Sequence, residues 1–329
     1  MVGSILVTGA TGFLGGGVVR RLLARGHAAE QLRCLVRDPA RATAAGLPAA
    51  SLLAGDLADL DNGPALQAAA RGVGLVLHLA GTLKSLDQAG FDRVNRGGTE
   101  RLVAAVAAAA PAAHVVLVSS LAAAGPSVDG LGSARPPDQT QPVSLYGASK
   151  RAGELAVVRG PLPWTILRPP VVYGPGDAAT RLLFRQANAP LVAVPMRPRP
   201  LSVIHADDVV DAVLAAADRR PAGAVLPLDG PERTDTHALL RTIAAACGRT
   251  ARLVPVPMPV AALAACCADL WGRIRGDAGF FNRDKVREIR AAGWVADGSA
   301  ARTVLGVTPR VPLATSLAAI ARAEGFVRR

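Results

Sequence analysis

The sequence predicts an α/β protein built on a doubly wound parallel sheet, with a smaller C-terminal region attached. Three observations carry that reading. A short apolar strand, a glycine turn and an apolar-periodic helix follow one another over residues 4–26. Strand-length apolar runs then alternate with helix-period segments as far as Leu167, the pattern of a parallel sheet covered by helices on both faces. Beyond that point Pro169, Pro170, Pro175, Pro190, Pro195, Pro198 and Pro200 interrupt the alternation, as a region grafted onto the sheet requires.

Each element has its own warrant. Ile5 to Val7 suits a strand buried on both faces. Leu14, Val18, Val19, Leu22 and Leu23 recur at helical spacing, and Gly26 stands where a helix stops. Between them lies Gly9-x-x-Gly12-x-x-Gly15. Free N–H groups and the helix dipole make such a turn an anion site: Gly9 permits the tight turn, Gly12 lets backbone approach a pyrophosphate, and Gly15 lets the helix lie close on the sheet. A glycine turn that binds nothing is the alternative, and the flanking strand and helix weigh against it. Leu32–Val36 reads as the second strand, ending at Arg37-Asp38-Pro39, and Leu52–Ala54 as the third, closing at Gly55-Asp56-Leu57. Leu75–Leu79 is the fourth, followed by Ala80-Gly81; one long Ala-rich helix then runs from Phe91 to Ala110. Val115–Val118 is the fifth, ending at Ser119-Ser120. Ligands of such sheets bind at the carboxyl ends of strands, which places Thr8, Arg37, Asp56, Ala80 and Ser120 on one rim. Residues 121–142 read as a long loop of the kind that forms lids. A helix from Ser144 to Val158 and a strand from Trp164 to Leu167 follow, then strands Leu201–Ile204 and Ala224–Leu228 around a helix Ala206–Ala217. The tail, 231–329, reads as mostly short helices and proline turns. The expected division is 1–168, with 201–230 returning to it, as the sheet domain, and 169–200 with 231–329 as the smaller region.

Composition narrows the function classes. The 329 residues carry a formal net charge of +12 with 3% aromatics. The arginines are scattered, only Lys84, Lys150 and Lys285 are lysines, and no basic block is interleaved with aromatics, so no nucleic-acid partner is expected. Cys34, Cys247, Cys266 and Cys267 have no metal-ligand spacing, and buried free thiols in a reducing compartment are expected. The first strand begins within a few residues of Met1, leaving no room for a signal peptide, and no apolar stretch is long enough to span a bilayer. The expectation is a soluble cytoplasmic protein with a small-molecule substrate. His78 reads as filling a strand end, and His205, with Asp207 and Asp208, as opening and capping a helix. Val260 to Trp271, with Phe280 and Phe281, is open between pocket lining, ordinary packing, and a dimer or membrane-surface patch.

Tyr146 and Lys150 stand four apart on one helix face. An ammonium beside a phenol lowers the phenol's pKa, and a tyrosine brought toward neutral exchanges a proton with a carbonyl or alcohol oxygen. Ser120, 26 positions earlier at a strand end, is placed to hydrogen-bond that oxygen. Such a pair arises by chance on solvated helices; here it follows a dinucleotide-type (Rossmann-type) turn.

With these pieces assembled the chain resembles the extended short-chain dehydrogenase/reductase family. The matching stretches are TGATGFLG (8–15), GDL (55–57), HLAG (78–81), VNRGGT (94–99), VSS (118–120), YGASK (146–150), LRPPVVYGPGD (167–177) and VIHADDV (203–209). The resemblance implies Tyr146 as the proton-transfer residue, Lys150 as the group that lowers its pKa and bonds the nicotinamide ribose, and Ser120, with Ser119 as the alternative, as holder of the reacting oxygen. It implies Asn95 as a fourth catalytic residue. For the cofactor it implies Thr8, Gly9, Thr11, Gly12, Phe13, Leu14 and Gly15 at the turn, Arg37 at the second strand, and Asp56 and Leu57 at adenine. Leu79, Ala80, Gly81, Pro169 and Val172, with Tyr146 and Lys150, complete that set, and the C-terminal region becomes the substrate-binding one.

Two departures refine the likeness. Leu121-Ala122 follow Ser120 where the family's dehydratases carry Asp-Glu, and Val171 stands where its nucleotide-sugar epimerases usually carry Asn. The closer likeness is to the 3β-hydroxysteroid dehydrogenase and dihydroflavonol reductase branch. The expected activity is hydride transfer between a nicotinamide cofactor and a ketone or secondary alcohol of a fairly apolar substrate. A nucleotide-sugar epimerase and a non-catalytic dinucleotide-binding protein are the alternatives. Arg37 and Arg41 favour NADP(H), because a phosphate gains from bidentate guanidinium contacts; Asp38 at the same rim keeps NAD(H) open. A homodimer is also left open.

Overall fold

The computed structural model describes residues 3–61, 63–276, 279 and 281–327; Phe280 lies outside them. In chain order the first half holds β1 (Ser4–Thr8), α1 (Phe13–Ala24), β2 (Leu32–Val36), α2 (Pro39–Ala44), β3 (Leu52–Ala54), α3 (Gly63–Ala70), β4 (Val73–His78), α4 (Gln88–Asn95), α5 (Gly97–Ala109), β5 (His114–Val118), α6 (Leu121–Ala124), α7 (Leu145–Val158) and β6 (Trp164–Arg168). The second half holds β7 (Val171–Tyr173), α8 (Ala178–Ala187), β8 (Val192–Pro195), β9 (Pro200–His205), α9 (Ala206–Arg219), β10 (Ala224–Pro227), β11 (Arg233–Asp235), α10 (Thr236–Ala246), β12 (Leu253–Val256), α11 (Met258–Arg275), α12 (Arg283–Arg290), α13 (Ser299–Leu305) and α14 (Leu313–Ala323).

Seven strands form one parallel sheet in the order β3-β2-β1-β4-β5-β6-β10. Strand order reverses between β1 and β4, so their carboxyl ends splay apart and open the crevice where such sheets take ligands. Alternation along each strand loads both faces. Ile5 and Val7 pack with Val18, Val19 and Leu22 of α1 and with Val209 and Val213 of α9. Leu6 packs on the opposite face with Leu66, Leu102, Val106 and Val157. A third core, built on Tyr173, Phe184, Leu240, Ile243, Leu317 and Ile320, lies under β7, β9, α8, α10 and α14. The parallel α/β fold is the one expected from the sequence.

Four local expectations need correction. The single helix over 91–110 is two, because the backbone bends at Arg96 (φ −93°, ψ −67°), between α4 and α5. Its polar first part and Ala-rich second part are separate elements joined by Arg96-Gly97. The tail also holds strands β11 and β12, which were not expected, and among its helices α11, at 18 residues, exceeds every other described helix. Cys34 and Cys247 are buried free thiols, whereas Cys266 and Cys267 are exposed on α11. The 121–142 segment is not a free lid. It begins with α6 and is held from inside by Arg168, whose guanidinium donates to the carbonyls of Ser133 (2.9 Å) and Arg135 (2.7 Å).

Arg168 also makes a two-pronged ion pair with Glu154 of α7, Nε to Oε1 at 2.9 Å and Nη2 to Oε2 at 2.6 Å, with both side chains fully buried. A guanidinium that meets four oxygens here has its charge and its hydrogen-bonding capacity satisfied together. Removing one partner leaves an uncompensated charge in the core, which costs about 3–5 kcal/mol. Glu154→Gln is therefore expected to lower unfolding free energy by an amount in that range, read by urea denaturation. The double variant Glu154→Leu/Arg168→Met is expected to recover much of the loss, and equal losses from the single and double variants would contradict this account.

Candidate active site

The crevice at the β1–β4 switch is floored by the glycine turn. The Gly12 N–H donates to the Gly9 carbonyl (2.9 Å), and Gly12 is the N-cap of α1 with no side-chain cap. A Cβ at Gly15 would lie 2.0 Å from the Gly9 carbonyl oxygen, so only glycine lets α1 sit this close to the turn. An uncapped helix N-terminus with exposed Thr11 and Gly12 beside it is the donor set a pyrophosphate needs. The turn thus fits a dinucleotide on backbone geometry alone. Phe13 and Leu14 are half-buried behind it, and the Phe13 ring lies against Gly174.

A chain of directed hydrogen bonds fixes the rim. Thr99 gives its one hydroxyl hydrogen to the Asn95 carbonyl (2.7 Å), so Thr99 Oγ1 accepts from Nε2–H of His78 (2.9 Å). That assigns Nδ1 of His78 as the acceptor for the Thr8 hydroxyl (2.6 Å), and Thr8 Oγ1 in turn accepts the Ala80 N–H (3.3 Å). His78 is pushed down to about 3, first by burial and then by the Lys150 charge, so its ring is neutral as this assignment demands. Two imidazole nitrogens thereby lock the ends of β1 and β4 to the α4–α5 corner. His78 fills a strand end as expected, and His205 caps α9 by accepting the Asp207 N–H at Nδ1 (3.2 Å).

Asn95, buried at the end of α4, receives the Thr82 N–H (2.8 Å) and donates to the Thr82 carbonyl (3.1 Å) and to Ser149 Oγ (2.9 Å). Ser149 passes the chain on by donating to the Tyr146 carbonyl (2.7 Å). A Cβ at Gly81 would lie 3.1 Å from Asn95 Oδ1 and 3.5 Å from Lys150 Nζ, so these three positions converge. Lys150 is buried, donates to the Val118 carbonyl (2.9 Å) and is pushed down to about 8 by burial, against the pull of Glu154.

Ser120, the N-cap of α6, accepts the Ala122 N–H (3.1 Å), and its hydroxyl stands near enough to the Tyr146 phenol to lower its pKa. The Ser119 hydroxyl is buried without a partner, so it is Ser120 that meets the tyrosine. The phenol departs from the sequence expectation. Burial pushes it up to about 12, the Ser120 hydroxyl pulls the other way, and the Glu288 carboxylate adds to the rise. The Lys150 ammonium donates to the Val118 carbonyl and is not among the groups that shift the phenol.

The remaining expected residues line the same rim. Arg37 is exposed past β2, whereas Asp38 is committed as N-cap of α2, accepting the Arg41 N–H (3.0 Å). Asp56 accepts the Ala58 N–H (2.9 Å), and the Leu57 side chain is buried beside Gly98 of α5. Leu79, Ala80 and Gly81 follow β4, the Pro169 carbonyl accepts the Leu121 N–H (2.8 Å), and Val172 packs on the sheet core.

Sequence reasoning missed the far support of this helix. Asp284 of α12 accepts the N–H groups of Leu145 (2.7 Å) and Tyr146 (3.2 Å), while Ser144 Oγ accepts that of Gly147 (3.0 Å) and donates to Glu288 (2.8 Å). Three of the four orphan donors at the start of α7 are thus met, with carboxylates at the positive end of its dipole. No local signal links 145 to 284. Glu154 was legible in principle, as one acid four positions past Lys150 in a mostly apolar helix.

Among the described residues no group of His, Cys, Asp and Glu side chains is placed to hold a metal ion. Comparison with known proteins adds the wider context. Residues 5–226 match the model of the NAD dependent epimerase/dehydratase family. The chain is 35% identical over 297 residues to the ceramide reductase of Caulobacter vibrioides, covering 89% of this chain and 86% of that one. It is 30% identical over 336 residues to the UDP-glucose 4-epimerase of Mycolicibacterium smegmatis, covering 95% and 96%. Among solved structures, that of gox2253 superposes with a TM-score of 0.76 at 27% identity over 99% of both chains. With a family match over most of its length and a switch-point crevice of the matching fold, this chain belongs to the NAD dependent epimerase/dehydratase family, within the extended short-chain dehydrogenases/reductases.

Proposed function

We propose that the protein is a reductase or dehydrogenase that moves hydride between a nicotinamide dinucleotide and a ketone or secondary alcohol on an apolar substrate. The observation that carries this is the gathering of Ser120, Tyr146 and Lys150 at the crevice that also holds the uncapped N-terminus of α1. A nicotinamide dinucleotide, when bound, supplies or accepts the hydride. The uncapped turn would hold its pyrophosphate, and Arg37, Asp56, Leu57 and Gly81 would flank the rest. Tyr146 stands protonated at neutral pH, because its phenol lies near 12. As a carbonyl carbon gains hydride, its oxygen, held by Ser120 Oγ, takes the proton from Tyr146 Oη; the reverse direction returns it. Asn95 acts by position, fixing the Tyr146 carbonyl through Ser149. An apolar substrate is favoured by Val171, exposed where β7 begins, and by the likeness to a ceramide reductase. The likeness to a UDP-glucose 4-epimerase supports a second reading, in which cofactor is oxidised and re-reduced with no net change.

For the dinucleotide we propose NADP(H). Asp38 spends its carboxylate on the Arg41 N–H, which leaves the exposed Arg37 guanidinium as the group at the ribose end of β2. In Arg37→Ala, a lost charge-assisted contact is expected to weaken NADP by about 1.5–3 kcal/mol and leave NAD nearly unchanged, read as two dissociation constants. Equal weakening of both would assign the ribose to another group.

Screening ketones and alcohols by nicotinamide absorbance identifies the substrate, and net turnover separates reductase from epimerase. On that substrate Tyr146→Phe is expected to lower kcat by about 10²–10⁴-fold with little change in KM; wild-type turnover would overturn the assignment. The Lys150 ammonium titrates near 8 in the free protein, so its charge is present below that pH and is lost as pH rises through it. Since kcat/KM reports groups of the free enzyme, its value for the dinucleotide is expected to fall above about pH 8. Lys150→Arg, whose guanidinium stays charged, is expected to abolish that fall even if turnover is slow.

A further inference from the structure

α11 is inside out. Steps of 100° per residue put Ala261, Ala265, Ala268 and Gly272 on one side, and Ala265 and Gly272 are its buried residues. Val260, Leu263, Cys267, Leu270, Trp271 and Ile274 fall on the opposite side. There Leu263 is 68%, Leu270 63%, Trp271 56% and Ile274 70% exposed. Small residues thus face the protein and large apolar ones face outward, along a helix of 18 residues. Single exposed apolar side chains need no explanation, but a contiguous stripe marks a surface that something covers.

The charges say what covers it. On the same wheel Arg273 and Arg275 fall on the two flanks of the stripe, and both are exposed. The Arg275 guanidinium lies 4.6 Å from the Trp271 ring centroid, a ring that suits the boundary between water and hydrocarbon. The one acid of α11, Asp269, lies toward the buried side and is engaged with Arg283 (2.7 Å). On α12 Arg290 is a further exposed cation, while Arg287 is exposed but paired with Asp284 (3.5 Å). A second copy of this helix laid parallel on the first would set arginines against arginines, and one laid antiparallel would set the arginines of each against the uncharged first turns of the other, so neither arrangement pairs their charge. A surface with apolar depth and negative head groups complements both features. No helix among the described residues is long and apolar enough to cross a membrane, so the geometry is that of a helix lying in the interface rather than spanning it.

We propose that α11 docks the protein on the surface of an anionic lipid bilayer, with Val260, Leu263, Leu270, Trp271 and Ile274 in the acyl boundary and Arg273 and Arg275 at the head groups. The docking face is joined to the crevice through two contacts. Asp269 holds the start of α12, and Asp284 of α12 caps the helix that carries Tyr146. These contacts tie the docking face to the helix that carries Tyr146, which accords with the apolar substrate proposed above. The docking inference does not rest on that substrate reading, because vesicle binding is measured without turnover and either can fail alone.

The test is co-sedimentation of the intact chain with vesicles of phosphatidylcholine, alone or mixed with phosphatidylglycerol. Binding to the mixed vesicles is expected, weakened by salt. Leu263→Glu/Ile274→Glu is expected to reduce it by on the order of tenfold or more. Arg273→Gln and Arg275→Gln are each expected to reduce it about fivefold, leaving binding to pure phosphatidylcholine little changed. All these side chains point to solvent, so circular dichroism should be unaltered. Should a variant fail to fold, wild-type tryptophan fluorescence decides: a blue shift on adding mixed vesicles supports docking. No sedimentation and no blue shift with either vesicle would overturn the proposal. So would binding that the apolar substitutions leave intact, or a dimer in sedimentation equilibrium that the same substitutions dissociate.

Discussion

The arrangement of the crevice depends on one helix, α7, being held in a fixed place and rotation, and that hold depends most on the buried Glu154–Arg168 pair. The pair joins α7 to the end of β6 and, through the other guanidinium nitrogen, to the backbone at Ser133 and Arg135. It lies one turn beyond Lys150 and two turns beyond Tyr146. Ion pairs on a surface are worth little, but a pair with no solvent to replace either partner has essentially one low-energy geometry. Rotating α7 by one residue would strip Arg168 of its carboxylate and carry Tyr146 away from Ser120.

Around this anchor, polar contacts converge from several elements of the fold. Asn95 and Ser149 tie α7 to α4, the Val118 carbonyl ties Lys150 to β5, and Asp284 with Glu288 tie the N-terminus of α7 to α12. A close approach makes this possible: a Cβ at Gly147 would lie 2.4 Å from the Ala122 carbonyl oxygen, so α7 rests directly on α6. Placing a phenol and an ammonium in such a dry setting moves both away from their charged forms, Tyr146 upward and Lys150 downward. At neutral pH the site is therefore a protonated phenol beside a lysine that still carries its charge and gives it up as pH rises through about 8.

The sheet was legible in the sequence because its signals are local. β2 and β3 lie where their apolar runs stop, and β1, β5 and β6 differ from the expected runs by a residue or so, since strands buried on both faces leave continuous apolar stretches bounded by polar ones. Helix α7 was legible through Ser144 and its periodic face. The break at Arg96 was not, because alanine-rich and mixed helical segments have the same period on either side of a bend. Nor could periodicity show that α11 presents its large side chains outward, since an amphipathic pattern has two faces and only packing decides which is covered. The depressed tyrosine pKa expected from Tyr-x-x-x-Lys failed for a related reason. Spacing brings two groups near, while burial, which comes from residues distant in the chain, sets the sign of the shift. The convergence of Ser120, Tyr146, Lys150 and Asn95 was foreseeable as a set of rim residues; the bonds through Ser149, His78 and Asp284 were not.

The cap on α7 has a bearing on how the chain reaches its final form. Ser144 and Leu145 meet residues 144 and 139 positions further on, at Glu288 and Asp284. The seven-stranded sheet, by contrast, is complete once β10 has emerged at Pro227. A ribosome-bound chain can therefore close its main sheet while the N–H groups at the head of the tyrosine helix still face water. Contacts that span so much chain form late, after the entropy of a long loop has been given up. The N-terminal cap of the helix carrying Tyr146 is consequently completed only when the C-terminal segment docks.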